Sequence, residues 1–201
     1  MKSKISRASL IALFTVISFA SSVTAAESER LALQFLGSAT GASWDLLSEA
    51  TVAEIVVLAE DGNFDTADLE GFGCFEIDLV DPSSGVVVGT GVDCLAPNPV
   101  GPAGNVFDAI EVEAFSFFIL PGGAFVSNGM TSVRAFIPGI GDGGGFTHVT
   151  GSLPEQDNII GATGQFKDKG STRVSGAVDL SQFGAGIIAF NCLWIVDIRI
   201  N

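Results

Sequence analysis

Gly73-Cys74-Phe75-Glu76-Ile77-Asp78-Leu79-Val80 leads into Asp81-Pro82-Ser83-Ser84-Gly85, and Val86-Val87-Val88-Gly89-Thr90-Gly91-Val92-Asp93-Cys94 follows. Phe75, Ile77 and Leu79 alternate with Glu76 and Asp78, the period of a strand with one buried face. The Pro/Ser/Gly cluster is a turn, and a β-branched run returns from it. The stretch therefore reads as a β-hairpin. With the turn centred near Ser84, Cys74 comes opposite Cys94. Glu76, Asp78, Thr90 and Val92 then share the cysteines' side, while Phe75, Ile77 and Leu79 take the other.

The same grammar extends along the chain. Glu111 to Leu120 is rich in Phe and stops at Pro121-Gly122-Gly123, after which Ala124 to Ser127 begins a returning strand. Thr131 to Ile137, Lys169 to Leu180 and Ile187 to Ile200 read as further strands. Phe190-Asn191-Cys192-Leu193-Trp194-Ile195-Val196 is apolar enough to predict a strand buried on both faces. Helix signals are weak, because 25 glycines interrupt the chain and no long stretch holds a 3.6-residue period. Glu29 to Leu36 is the one helix candidate. Gly139 to Gly145 is a Gly-rich loop. Many short strands with regular turn signals predict an all-β fold, a sandwich or a barrel.

Lys2, Lys4 and Arg7 precede the apolar run Leu10 to Ile17, and small residues follow through Ala25-Ala26. A basic head, a short apolar middle and a small-residue exit predict a secretory signal peptide over 1–26. The run is shorter than the about 20 residues a spanning helix needs, and no later stretch reads as a membrane span. The expected domain is 27–201, with 27–50 as a lead-in to the barrel. Three of the nine Lys+Arg and none of the 23 Asp+Glu lie in the signal, so the remainder carries 6 − 23 = −17. That charge repels nucleic acid and anionic head groups. Sixteen Phe supply a core. Export permits a disulfide, and the opposed pair Cys74–Cys94 has suitable reach. Cys94–Cys192 is the competing bond.

Ile159-Ile160-Gly161-Ala162-Thr163-Gly164-Gln165-Phe166, with Lys169-Gly170 after it, resembles the I-x-G-G-T-G-x-F … G signature of the allene oxide cyclase and dirigent barrels. The hairpins around Ser84 and Gly122-Gly123 fit the same order of elements, over roughly 52–200. Gly161, Thr163, Gly164, Phe166 and Gly170 form the structural motif. Its glycines permit positive φ or close backbone approach, and Phe166 is placed to plug a barrel end. The resemblance narrows the choice to a single antiparallel β-barrel of about eight strands with a cavity, often assembled as a trimer, so a homodimer or homotrimer is expected. It implies binding of a small hydrophobic ligand, without metal or cofactor. It places a cavity cysteine at Cys94, with Thr90 and Val92 beside it as ligand-cavity candidates.

The resemblance also implies a catalytic glutamate on the first strand, which it sets at Thr51 to Glu60, so Glu54 or Glu60 could serve. The pattern then departs. Gly62 and Asn63 follow Glu60, the water-holding Ser-Pro pair is missing, and the chain has no Tyr. Glu76, Asp78, Glu60 and Arg134 are the remaining catalytic candidates. Asp61-Gly62-Asn63-Phe64-Asp65 opens like a calcium loop, but Thr66 and Phe72 stand where an EF-hand needs Gly and Glu. No zinc spacing, P-loop or nucleophile elbow accompanies the single histidine, His148. Two readings follow. One is an exported barrel that binds a small hydrophobic ligand or serves a structural role. The other is a cofactor-free cyclase or dirigent-like protein that orients an unsaturated substrate. The first is favoured because no catalytic set is complete. A periplasmic or secreted location is expected.

Overall fold

The computed structural model describes residues 27–96, 110–135, 148–152, 157–179, 182 and 185–201. The signal-like segment and the Gly139–Gly145 loop lie outside these residues, as do the side chains of Arg134 and His148. The described chain is mostly antiparallel β: β1 (Ser28–Thr40), β2 (Gly73–Asp81), β3 (Val86–Leu95), β4 (Ile110–Leu120), β5 (Gly123–Ala135), β6 (His148–Ser152), β7 (Ile159–Ala162), β8 (Phe166–Asp179) and β9 (Ile187–Ile200). One helix, α1 (Glu49–Asp61), and two 3-10 turns, Trp44–Leu46 and Thr66–Leu69, lie between β1 and β2.

Two expectations near the N-terminus are corrected. Glu29 to Leu36 is strand, not helix. Its period is two: Leu33 and Phe35 are buried while Arg30 and Ala32 are exposed. β1 is no lead-in either, since all its residues pair with β9, from Ser28↔Arg199 to Thr40↔Ile187. Thr51 to Glu60 is helix, not strand. Ser48 caps it by accepting from the Thr51 N–H at 3.2 Å, and Thr51, Ile55 and Leu58 form its buried stripe. That i, i+4, i+7 spacing and the cap outweigh the β preference of its valines.

The strands run β4-β3-β2-β1-β9-β8-β6-β5-β7, and β4 also pairs with β5. β6 and β7 lie end to end along one edge of β5, against Thr131–Ala135 and Phe125–Ser127 respectively. The sheet does not close into a complete barrel. Its weak seam is between β1 and β2, which share only Gln34↔Val80 and Phe35↔Leu79. Just beyond, Gly37 takes a φ of 138°, and β1 diverges from β2 while keeping its ladder with β9.

Two cores result. The first fills the side toward which the strands curl, with Phe35, Phe75, Phe118, Phe125, Phe190 and Trp194 among its members. The second lies on the outer face of β2–β5, beneath α1 and the turn at 66–69, and holds Ile55, Leu58, Cys74, Val92, Cys94 and Phe117. β9 faces the first core on one side only. Phe190, Cys192, Trp194 and Val196 are buried, but Leu193 on the outer side is 39% exposed. The expectation of burial on both faces is therefore corrected.

The glycine motif clasps the second hairpin. The Gln165 N–H donates to the Gly122 carbonyl at 3.0 Å and the Thr163 N–H to that of Ala124 at 2.8 Å. Phe166 is buried with its ring 5.2 Å from Phe125. Gly164 has φ 64°, and a Cβ there would strike the Gly122 carbonyl and approach the Gly123 Cα at 2.8 Å. Gly164→Ala should lower stability by about 2 kcal/mol, read as a fall in the urea midpoint. An unchanged midpoint would mean that the clasp is loose.

Candidate functional site

Where β1 and β2 part, a cleft of about 470 Å³ opens. Leu36, Leu46 and Leu47 supply aliphatic lining, and Ala39 and Ile77 of the first core lie at its inner edge. Ser48, Glu76, Asp78 and Thr90 form its polar rim. Glu76 is tied to the start of α1: its carboxylate accepts from the Ser48 N–H at 2.7 Å and the Ser48 hydroxyl at 3.0 Å. One rim carboxylate thus holds the helix in place, while Asp78 is exposed beside it.

The other expected residues scatter. Glu54 and Glu60 are exposed on α1, on a helix and not on a strand. Cys94 is bonded to Cys74, as one of the two pairings predicted. Cys94 and Val92 are buried in the core beneath α1, so of the three ligand-cavity candidates only Thr90 reaches the cleft. Cys192 is a buried free thiol. Arg134 lies on β5.

Among the described residues, no group of His, Cys, Asp and Glu could hold a metal ion, and no helix is long and apolar enough to cross a membrane. Comparison with protein-family models, with curated proteins and with solved structures finds no match. The acidic turn at Asp61–Asp65 has a structural explanation: Asp65 and Asp68 form a reciprocal capping box on the turn at Thr66–Leu69.

The most perturbed carboxylate is one that no sequence motif singles out. Asp93 pairs with Phe75 on one side and Ser116 on the other, so it shares the face of the first core. It is 9% exposed, and the Ser116 hydroxyl donates to its Oδ1 at 2.7 Å. Burial pushes its carboxyl up to about 6, against the opposing pull of that hydrogen bond. Burial first, then the charge of Asp93, pushes the Cys192 thiol up to about 12. Burial thus favours the neutral thiol at Cys192. Trp194, two residues along the same face, buries an indole N–H without a partner. The interior thus holds a sparse polar row within an aromatic core.

Proposed function

We propose that the protein is an exported, non-catalytic binding module that takes a small, mainly apolar ligand at the β1–β2 seam. The observation that carries this reading is the cleft itself. Its volume is within the about 300–1,000 Å³ usual for small-molecule sites. Its lining joins the aliphatic side chains of Leu36, Leu46 and Leu47 to hydroxyl and carboxylate acceptors. A ligand with an apolar body and one hydrogen-bond donor or cationic end suits that division. The partly open, curled arrangement of strands supports kinship in shape with the allene oxide cyclase type of barrel, and the Gly161–Gly170 clasp supports it in sequence. The Cys74–Cys94 bond is compatible with a periplasmic or secreted location.

The test is native mass spectrometry of the protein after exposure to an extract of host lipids and secondary metabolites. A bound small molecule is expected, and Thr90→Trp should abolish its retention by filling the cleft from its part-exposed wall. An apo species under every condition would sink the binding reading and leave a structural role.

Asp93 favours a second reading, a cofactor-free cyclase or isomerase. A carboxyl poised near neutral pH among aromatic rings is suited to proton transfer or to stabilising developing positive charge. Glu60 and Asp78 are exposed and Glu76 is engaged by Ser48, so this reading rests on Asp93 with Ser116. Turnover of an identified ligand that disappears in Asp93→Asn would favour it over simple binding.

A further inference from the structure

The charges of this chain are segregated. Between Arg30 and Arg134 there is no Lys or Arg, against fifteen Asp and Glu. Eight of those carboxylates lie between Asp45 and Glu70, and all eight are exposed. They surround α1 and the turn at 66–69, which cover the outer face of β2–β5. Arg30, Arg173 and Arg199 are exposed on β1, β8 and β9. Strand parity puts all three on the outer face: Arg30 pairs with Asp197, Arg173 with Ile195, and Arg199 with Ser28. Glu29 falls on the opposite side by the same parity.

These two faces back onto each other. β2–β5 and β1, β9, β8 are separate arcs of one sheet order, and both arcs curl around the first core. Their outer faces therefore look in opposite directions. On the arginine face Asp197 engages Arg30 at 2.6 and 3.0 Å and Arg173 at 3.8 Å. By the same parity Asp179 also lies on that face, so three guanidiniums against two carboxylates leave it net positive by 3 − 2 = 1. Each face also carries part-exposed aliphatic side chains: Leu36 at 40% and Leu193 at 39% beside the arginines, Val56 at 39% and Val57 at 43% on α1.

We infer that the protein associates with further copies of itself head to tail, the acidic α1 face of one copy seating on the arginine face of β1, β8 and β9 of the next. The occupant is a second copy because the same chain supplies both complementary surfaces. Opposite placement makes the contact heterologous, so successive copies form a ring if the rotation closes and a filament if it does not. Charge complementarity sets the register and the rate of encounter, and the aliphatic patches supply the desolvated centre. This inference needs no ligand, although Leu36 borders the cleft as well.

Sedimentation velocity of the purified protein tests it. At about 20 mM salt the mean sedimentation coefficient should rise with protein concentration. At about 0.5 M salt, where charges are screened within a few ångströms, it should fall to the monomer value. Arg30→Glu/Arg173→Glu should remove the low-salt assembly, and Glu54→Lys/Glu60→Lys should do the same from the other side. Combining both pairs should restore it. The Glu54/Glu60 pair changes only exposed helix positions, so it decides the matter even if the arginine variant folds poorly. A monomer at every concentration in low salt, or an assembly indifferent to both reversals, would overturn the inference.

Discussion

Replacing Asp93 with Asn should stabilise the protein at pH 7 by about 3 kcal/mol and leave it nearly unchanged at pH 4. The carboxyl titrates near 3.8 in the unfolded chain and near 6 in the folded one. Below about pH 4 both forms are protonated. Between about 4 and 6 the unfolded chain ionises while the folded protein keeps its proton. The folded state binds more protons in that window, so stability falls as pH rises through it. Above about 6 both forms are ionised and the loss is complete. A gap of about two pH units corresponds to about 3 kcal/mol. Asn retains an oxygen to accept from Ser116 and carries no charge, so it escapes the loss.

The prediction is sharp because other carboxylates have the opposite sign. Ser83 and Ser84 hold the Asp81 carboxyl below its usual range, and Arg30 does the same for Asp197. Those groups lend stability that disappears as pH falls. The wild-type curve therefore mixes both trends, whereas the difference between the Asp93→Asn variant and wild type isolates Asp93. Urea midpoints of both proteins at pH 4 and pH 7 give that difference. An equal gap at the two pH values would show that Asp93 does not titrate in this window. Retention of so costly a group is the reason to test Asp93 for function, since a buried carboxylate without a cation beside it stabilises nothing.

Asp93 was legible in principle. Once Cys74 is set opposite Cys94, Asp93 must face the side of Phe75, Ile77 and Leu79, the apolar side. Glu76 and Asp78 stand out more in the sequence because they alternate visibly with apolar residues, and these belong to the outer face. The hairpins were readable because turn chemistry and period agree there: Asp81–Gly85 and Pro121–Gly123 stand where the chain reverses. α1 was misread because Thr51, Val52, Ile55, Val56 and Val57 favour strands individually, and the deciding signals were the Ser48 cap and the wider spacing of Ile55 and Leu58. The seam was not readable at all. It arises from pairing between β1 and β2, which are separated by α1 and two turns, and local pattern carries no record of where such a ladder stops. Thr90 reached the cleft for that reason alone, while Val92, two residues further on the same face, went beneath the helix.

Loss of the Cys74–Cys94 bond should cost about 3 kcal/mol. The bond joins residues 20 apart in sequence, and constraining a loop of that size in the unfolded chain is worth about that much. Both sulfurs are buried in the core beneath α1, so Cys74→Ala/Cys94→Ala also removes packing from under the helix. The effect has a place as well as a size. Cys74 lines the cleft and is two residues from Glu76, which holds the start of α1. Loosening β2 there should weaken retention of the proposed ligand along with stability. The urea midpoint of wild type under reductant should approach that of the double variant. Cys192→Ala should respond to reductant as wild type does, because its thiol is not in the bond. A double variant whose midpoint matches oxidised wild type would mean that the hairpin register and the helix above it are held by strand pairing and burial alone. In that case the two cysteines would be no more than small core residues that happen to face each other.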